Sequence, residues 1–371
     1  MPAVQTRFRR SPHIVSYWSG GTLVFHNFAT GHRVAGSALT IGLLDYFDEW
    51  RSAAPLLARS TIPSGQIKAA LRKLVRVSML HASNSHLPAT ETAMARWSDW
   101  NPAAGFFHDA TKDTRYERNP KKVLAFLRAR LRSRPVPPKT KTYAGVDKVT
   151  LPPVPARGVF SQVLLSRRTW RRFGTAPMST TAFSALMDLT FRAQQFLDLG
   201  AFGPAMLRTS PSAGACNPLE AYVIVRRVTG VPTGIYHYAP LKHELARVNN
   251  ARRGVIERHL PGQSWYGEAS FVVLMTAIFG RTGWKYPFPR AYRTVLLEAG
   301  HFCQTFCLAA TALGLAPFCS AALADSTIER DLGIDGVNES VVYACGAGTR
   351  PPSVDAAPWP KRQPRRRASR R

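Results

Sequence analysis

The sequence has few acidic residues, and this shortage sets its overall charge. Its 371 residues include 22 Asp and Glu against 50 Lys and Arg, a formal net charge of +28. Such a balance excludes an acidic surface and favours anionic ligands or partners. Much of the charge lies in segments that look peripheral, and one of them is the end of the chain, where residues 361–371 have one alanine as their only apolar residue. We therefore predict a disordered basic tail over 351–371.

Cysteine is scarce as well, and its pattern excludes a disulfide framework. The five cysteines are odd in number and lack paired spacing, which favours a reduced, cytoplasmic setting. Cys303 and Cys307 stand one helical turn apart, but no third ligand lies near them in the sequence. We predict that these two are small buried residues and that the protein holds no metal.

No hydrophobic run is long enough for a membrane span. The longest strongly apolar stretch, from Phe271 to Phe279, is too short to cross a bilayer and suits a buried strand. The basic N-terminus is not followed by an apolar run of signal-peptide length. We expect a soluble cytoplasmic protein without membrane contact.

Residues 1–90 are predicted to form a small winged-helix-like module. The segments 22–26 and 32–34 flank an Asn/Thr/Gly turn, which indicates a hairpin. Residues 39–50 and 64–75 carry apolar side chains at helical spacing. The basic residues of this module do not share one helix face, so we expect a scaffold or docking unit, and nucleic acid is not an expected partner.

Residues 91–156 are predicted to connect this module to a second domain. The stretch 97–111 is dense in aromatic residues and has few helix signals, which favours a loop packed over another domain. His108 within it is expected to be packed and hydrogen-bonded rather than catalytic. A short basic helix is predicted over 121–134, and prolines at both ends of 135–155 mark a linker.

The most distinctive segment is the arginine-rich stretch from Leu165 to Phe173. Three or four guanidinium groups crowd one short turn beside the hydroxyl of Thr169. Repulsion at that density is relieved by an anion, and guanidinium groups suit an anion with paired oxygens. The alternative is a solvated basic surface. Because a series of enzyme-like motifs follows, we predict an α+β catalytic domain over 157–350.

The predicted elements of this domain surround a loop of small and hydroxyl residues at 208–220. Such residues let the backbone approach a flat ligand closely, although ordinary turns use the same residues. The predicted helices are 159–166, 179–197 and 291–315, and the predicted strands are 221–226, 234–238, 271–279 and 340–344.

Lys285 and Tyr286 stand side by side where the most apolar strand, 271–279, is expected to emerge from the sheet. A cavity or a nearby anion can tune a lysine or tyrosine toward proton transfer. The pair is therefore a candidate for catalysis.

The long apolar helix 291–315 carries a single polar stripe. Thr294, Glu298, His301 and Thr305 follow one line along it. Polar groups on a buried helix need partners, whether a facing subunit, a cofactor or each other.

In this order, the motifs resemble the flavin-dependent nitroreductase-like family. The resemblance is closest to its SagB-type peptide dehydrogenases, which oxidise azoline rings to thiazoles and oxazoles in ribosomal peptides. It covers roughly residues 158–350, with a looser similarity of the N-terminal module. It rests on the segments 167–173, 211–214 with 218–220, 234–238, 284–286, 297–301 with Gln304, and 313–315.

The resemblance implies an FMN-binding α+β fold that works as a homodimer, with flavin sites at the subunit interface. It implies that Arg167, Arg168 and Arg171 hold the FMN phosphate and that the Thr169 hydroxyl assists them.

The same resemblance assigns the other residues around the cofactor. Pro211, Ser212 and Gly214 are expected along the ribityl chain and ring edge, and Gln304 is expected to face the cofactor. The backbone at Cys319 and Ser320 is expected to reach flavin N5, and Lys285 with Tyr286 is expected to remove the ring proton while hydride passes to N5.

The expected substrate is a peptide or a small molecule, and the resemblance implies peptide-modifying partner enzymes. Two alternatives stay open on the residues alone. One is an NAD(P)H-dependent nitroreductase that acts on small electrophiles. The other is a non-catalytic peptide- or nucleic-acid-binding protein that uses the N-terminal module and the basic tail.

Overall fold

A computed structural model describes residues 6–134, 136–141, 149–152, 158–200 and 203–352. Nearly all of the predicted tail and part of the predicted proline-rich linker lie outside these residues. Within them, no helix combines the length and the apolar content needed to cross a bilayer.

The N-terminal module contains two small sheets and three helices around its own core. Ile67, Leu71 and Leu74 recur at helical spacing and are at most 4% exposed. The predicted hairpin and helices are present, and the winged-helix-like assignment stays a prediction. One sheet has β1 (Arg7–Arg10) between β5 (Arg51–Ser52) and β6 (Leu80–Ala82), the other has β2 (Ile14–Ser19), β3 (Thr22–Asn27) and β4 (His32–Ala35), and the helices are α1 (Ala38–Tyr46), α2 (Ala54–Arg59) and α3 (Ser64–Arg76).

The aromatic segment after this module is helical, so the predicted loop is wrong, whereas its packing over the second domain is confirmed. Trp97 and Trp100 are buried and contact the rings of Phe279 and Tyr292. These long-range aromatic contacts stabilise helices whose local signals are weak. The helices are α4 (Ala89–Met94), a 3-10 turn (Ala95–Trp97), α5 (Ala103–Thr111) and the basic α6 (Pro120–Ser133).

His108 on α5 is packed and hydrogen-bonded, as predicted. Its Nδ1 lies 3.0 Å from the Tyr292 hydroxyl and its Nε2 lies 2.9 Å from the carbonyl oxygen of Gly336. Burial lowers the pKa of His108 to about 4, so the ring is neutral at physiological pH. Its contacts join the connecting segment to the second domain.

The second domain is built on a six-stranded antiparallel sheet. Its strands are β9 (Leu219–Val225), β10 (Gly234–Ala239), β11 (Glu244–Asn249), β12 (Phe271–Ile278), β13 (Ala316–Ser320) and β14 (Glu339–Gly348). Their spatial order is β11-β10-β9-β12-β14-β13. The predicted central position of β12 is confirmed, because it pairs with β9 on one side and β14 on the other. A strand covered on both faces is apolar throughout rather than alternating.

Helices cover both faces of this sheet, which gives an α+β fold of three layers. On one face lie α8 (Thr180–Phe191) and the long α11 (Ala291–Ala312), and on the other lie α9 (Val255–His259) and α12 (Asp325–Leu332). Two shorter helices, α7 (Val159–Ser166) and α10 (Phe279–Lys285), and the hairpin of β7 (Gln195–Asp198) and β8 (Pro204–Leu207) complete the domain.

The predicted helix over 179–197 ends early, at Phe191. Residues 195–198 form β7 instead, because their backbone groups pair with β8. The backbone N–H of Gln194 also donates to Leu207 at 2.8 Å. A pairing partner that lies later in the chain thus replaces the helical hydrogen bonds in this segment.

Candidate functional site

The arginine-rich stretch leaves α7 and is held against the edge strand β13. Trp170 is 7% exposed, and its backbone N–H donates to the carbonyl oxygen of Pro317 at 2.9 Å. The ring of Phe173 packs edge-on against that of Phe318, with 5.9 Å between centroids. The aromatic side chains fix the backbone, and the arginines between them are left half-buried or exposed.

The guanidinium groups of this stretch have no acidic partner among the residues that the structure describes. Within the described ranges, no carboxylate forms an ion pair with Arg167, Arg168 or Arg171. The Nη1 of Arg168 donates to the carbonyl oxygens of Leu165 and Arg167 at 2.9 and 2.7 Å. Because their positive charge is not neutralised by the protein, these donors fit a phosphate group.

Strand β13 brings Cys319 and Ser320 to the same edge. Hydrogen bonding with the Cys303 and Cys307 thiols lowers the pKa of Cys319, and the charge of Arg167 contributes, so Arg167 lies near this strand. The Ser320 hydroxyl donates to Gln263 Oε1 at 2.8 Å. That hydroxyl is therefore used within the protein, and the backbone is what this strand can offer to a ligand.

The loop at 210–217 has a strained backbone. Gly214, Ala215 and Asn217 have φ angles of 57°, 55° and 47°, and two of these residues are not glycine. Such conformations persist where surrounding bonds fix them, and they concentrate at functional sites. The backbone N–H of Asn217 donates to Ser212 Oγ at 2.9 Å, and its Nδ2 donates to the carbonyl oxygen of Ala215 at 2.9 Å. The loop is held as a compact turn.

Lys285 and Tyr286 lie against this turn. The Nζ of Lys285 donates to the carbonyl oxygen of Gly214 at 2.9 Å. A Cβ added at Gly214 would collide with the Tyr286 hydroxyl and lie 2.8 Å from that Nζ, so the close approach requires glycine. The indole N–H of Trp100 donates to the carbonyl oxygen of Tyr286 at 3.0 Å. The connecting segment therefore helps to position the pair.

Between the buried strand and the pair lies a helix that the sequence did not predict. Strand β12 ends at Ile278, and the unpredicted helix α10 separates it from Tyr286. Phe279 and Thr282 are the buried residues of that helix. Its Gly-Arg-Thr-Gly sequence gives little helical signal, because two glycines disfavour a helix until packing stabilises it.

Glu298 on α11 is a site residue that the sequence indicated only as part of a polar stripe. It is 2% exposed, and its Oε1 has no hydrogen-bond partner among the described residues. Burial raises the pKa of Glu298 to about 7, although the Ser212 hydroxyl, the charge of Arg208 and the Ala213 backbone oppose this. A carboxyl group with this pKa can hold or release a proton near neutral pH.

Two residues of the stripe, Glu298 and Thr305, find partners in the strained loop, whereas Thr294 donates to the carbonyl oxygen of Ala291 on its own helix and His301 is exposed. Besides Glu298 near Ser212, the hydroxyls of Thr305 and Ser210 lie 2.7 Å apart. Gln304, by contrast, is exposed on α11. Its predicted role toward a cofactor stays a prediction.

The predicted site residues thus fall into two groups. The arginine group consists of Arg167, Arg168, Thr169 and Arg171 with Cys319 and Ser320, and the lysine group consists of Pro211, Ser212 and Gly214 with Lys285 and Tyr286. Within the described part of the chain, no hydrogen bond, ion pair or ring contact links one group to the other.

These features define an α+β domain with an arginine-rich segment, a strained small-residue loop and a paired lysine and tyrosine. The profile of the nitroreductase family matches residues 164–349, half of the chain. A protein of this family from Methanocaldococcus jannaschii is 34% identical over 173 residues, which cover 46% of this chain and 83% of that protein. The chain therefore belongs to the nitroreductase family.

Two further proteins are similar to this chain. The trifolitoxin-processing protein of Rhizobium leguminosarum bv. trifolii is 28% identical over 173 residues, which cover 45% of this chain and 46% of that relative, about half its length. A nitroreductase structure from Anabaena variabilis is 26% identical, with a TM-score of 0.44 over 52% of this chain and 38% of that one.

Family membership confirms three predictions: the α+β fold, an enzyme of the oxidoreductase class and FMN as cofactor. The non-catalytic alternative is therefore not supported. The roles of individual residues stay predictions.

Proposed function

We propose that the protein is an FMN-dependent dehydrogenase of the SagB type, which oxidises an azoline ring in a ribosomally made peptide or a related heterocycle. The observation that carries the proposal is the contact of Lys285 and Tyr286 with the strained loop at Gly214. The similarity to a trifolitoxin-processing protein supports a peptide as substrate and peptide-modifying enzymes as partners.

In this proposal, the two groups of residues hold the cofactor between them. Arg167, Arg168 and Arg171, with the Thr169 hydroxyl, take the phosphate because their charges have no acidic partner. Pro211, Ser212 and Gly214 lie along the ribityl chain and ring edge, where the turn presents backbone rather than bulky side chains.

FMN, when bound, accepts the hydride and with it both electrons removed from the ring. The protein's own task is to take the ring proton, and the proposal assigns this task to Lys285 and Tyr286. The hydrogen bond from Lys285 Nζ to Gly214 and the hydrogen bond from Trp100 to Tyr286 hold the pair in place. Glu298 lies behind the loop, where its carboxyl group can exchange a proton near neutral pH.

We infer that the working unit is a homodimer, because the chain exposes large apolar side chains that a second copy could cover, and no hydrogen bond, ion pair or ring contact joins the two groups of residues within the described part of one chain. Apolar side chains available for an interface are exposed on α7 and α11: Val159 is 76% exposed, Phe160 70% and Leu297 62%. Gln304 is exposed on the same helix as Leu297. In a dimer, the arginine group of one chain and the lysine group of its partner would form one site.

The second candidate is a nitroreductase that reduces small electrophiles with NAD(P)H. The observation that favours it is the 34% identity to the Methanocaldococcus jannaschii nitroreductase-family protein. Such an enzyme would bleach its flavin with NADPH and a nitro compound in the absence of any peptide. It has no need of a base at Lys285.

The two candidates are separated by Lys285→Met and Tyr286→Phe, each tested with a thiazoline-containing peptide. We expect oxidation of the ring to fall by about 100-fold or more, since general acid–base catalysis contributes about 10²–10⁴-fold. Flavin content should not change. The matched control is Lys242→Met, an exposed lysine on another loop. If both variants oxidise the peptide at the rate of the control, the proposal fails. If NADPH-driven nitro reduction is the main activity of all four proteins, the second candidate holds.

A further inference from the structure

Four of the five cysteines converge between α11 and the edge of the sheet. Cys303 and Cys307 lie one turn apart on α11, and Cys319 on β13 stands directly opposite Cys345 on β14. The Sγ atoms of Cys303, Cys307 and Cys319 all lie within 4.8 Å of one another. Cys345 is close enough to hydrogen-bond with Cys303. All five cysteines are free thiols, and Cys216 lies outside this cluster.

Three of the four clustered cysteines are buried and one reaches the edge of the sheet. Cys303, Cys307 and Cys345 are at most 4% exposed, whereas Cys319 is half-buried at the edge of the sheet. An ion can therefore enter past Cys319 and meet the two helix thiols behind it. The core around the cluster is apolar, which favours a bound ion whose charge is met by its own ligands.

The chemistry of the donors selects the kind of ion. Thiolate sulfur binds soft or borderline ions such as Zn²⁺ and Cu⁺ and disfavours Mg²⁺ and Ca²⁺. A Zn–S bond of about 2.3 Å requires sulfurs roughly 4 Å apart, so small side-chain rotations would close the triangle. Three thiolates around a divalent ion leave one negative charge, and the positive charge of Arg167 acts on Cys319.

We propose that Cys303, Cys307 and Cys319 form a binding site for one thiophilic metal ion, with Cys345 beside it as a fourth sulfur. The sequence predicts no such site, because Cys319 follows Cys307 only after the rest of α11 and a turn. Strand β13 runs back along α11 after this turn and brings Cys319 to the two helix cysteines as the third ligand. Binding displaces the thiol protons to water, so it weakens as pH falls.

The site is tested on the full-length protein with its flavin bound, reduced with a phosphine and dialysed against Zn²⁺. We expect one Zn²⁺ per chain by elemental mass spectrometry, and a cadmium–thiolate charge-transfer band when Cd²⁺ replaces it. Cys303→Ser and Cys319→Ser should each weaken binding by more than the roughly 10- to 100-fold that changes outside the ligand set cost. The matched control, Cys216→Ser, should still bind one Zn²⁺ per chain.

A second measurement needs no variant and remains valid if a serine substitution prevents folding. Iodoacetamide should label Cys319 in the metal-free wild-type protein, and Zn²⁺ should protect it, as peptide mass spectrometry would show. The proposal is overturned if the reduced wild-type protein retains no zinc, if Cys303→Ser and Cys319→Ser retain as much as Cys216→Ser, or if Zn²⁺ leaves the labelling unchanged. These readouts do not depend on the substrate of the enzyme.

Discussion

Glu298→Gln should make the protein more stable at neutral and alkaline pH. The Glu298 side chain is buried, and one of its oxygens has no hydrogen-bond partner among the described residues. Burial raises its pKa from 4.5 to about 7. In the unfolded chain the carboxyl group ionises as pH rises above 4.5, whereas in the folded protein it stays protonated until about pH 7. Folding therefore loses stability across this window as pH rises, and glutamine does not titrate.

The magnitude follows from the two pKa values. One unit of difference between the unfolded and folded pKa corresponds to about 1.36 kcal/mol of unfolding free energy, so the full effect of Glu298 is about 3 kcal/mol. Roughly 2.5 kcal/mol of this change should appear between about pH 5 and pH 8, because the unfolded carboxyl group already begins to ionise below pH 5. Other titrating groups, such as His108, cancel when the variant is compared with the wild type.

The assay is urea unfolding of both proteins at several values between about pH 5 and pH 8. The unfolding free energy of Glu298→Gln should rise relative to the wild type by about 2.5 kcal/mol from the lowest to the highest pH. Asp335→Asn is the matched control. Burial raises the pKa of Asp335, but hydrogen bonding from the Val337, Asn338 and Glu339 backbones outweighs it and keeps this pKa below 3.8. The difference in unfolding free energy between Asp335→Asn and the wild type should therefore stay constant over this pH range. A constant difference for Glu298→Gln as well would refute the reasoning.

Two further predictions concern the lysine group and the connecting segment. Gly214→Ala should displace Lys285, because the new Cβ would lie 2.8 Å from its Nζ, so substrate oxidation per bound flavin should slow; turnover normalised to flavin content measures this, and unchanged turnover would contradict it. Wild-type stability should fall as pH drops from 6.5 to about 4, because His108 is held neutral in the fold and must take up a proton in the unfolded chain. His108→Gln should reduce this fall in unfolding free energy at acid pH, as urea unfolding would measure. An unchanged fall would contradict the assignment.

The parts of the fold that the sequence predicted are those with a strong local pattern. Strand β12 is apolar at every position except Thr276, and α11 is a long apolar run with one polar stripe, so each pattern allows one main interpretation. The arginine stretch could be recognised because charge of one sign at high density is unusual in one short turn. Helix α10 and strand β7 have weak local signals. Trp97 and Trp100, far away in the chain, pack against Phe279 of α10, and β7 is stabilised by its pairing with β8.

The arrangement of the candidate site residues was not predictable from the sequence. Spacing showed Lys285 beside Tyr286, yet only the fold shows that the pair lies on Gly214, 71 residues earlier in the sequence. Glu298 gives no local sign of a raised pKa, since its burial depends on the loop that covers it. The third cysteine of the cluster was missed for the same reason.

The central claim is that the arginine stretch holds the phosphate of FMN, and the FMN content of purified variants tests it most directly. Replacing Arg167, Arg168 or Arg171 with Gln should weaken FMN binding about 10- to 100-fold each, because a hydrogen bond to a charged group is worth about 1.5–3 kcal/mol. Removal of the equally basic residues 361–371 should leave FMN bound, as judged by the visible absorption spectrum after dialysis. Full FMN content in all three arginine variants, or loss of FMN on removing the tail alone, would contradict the account.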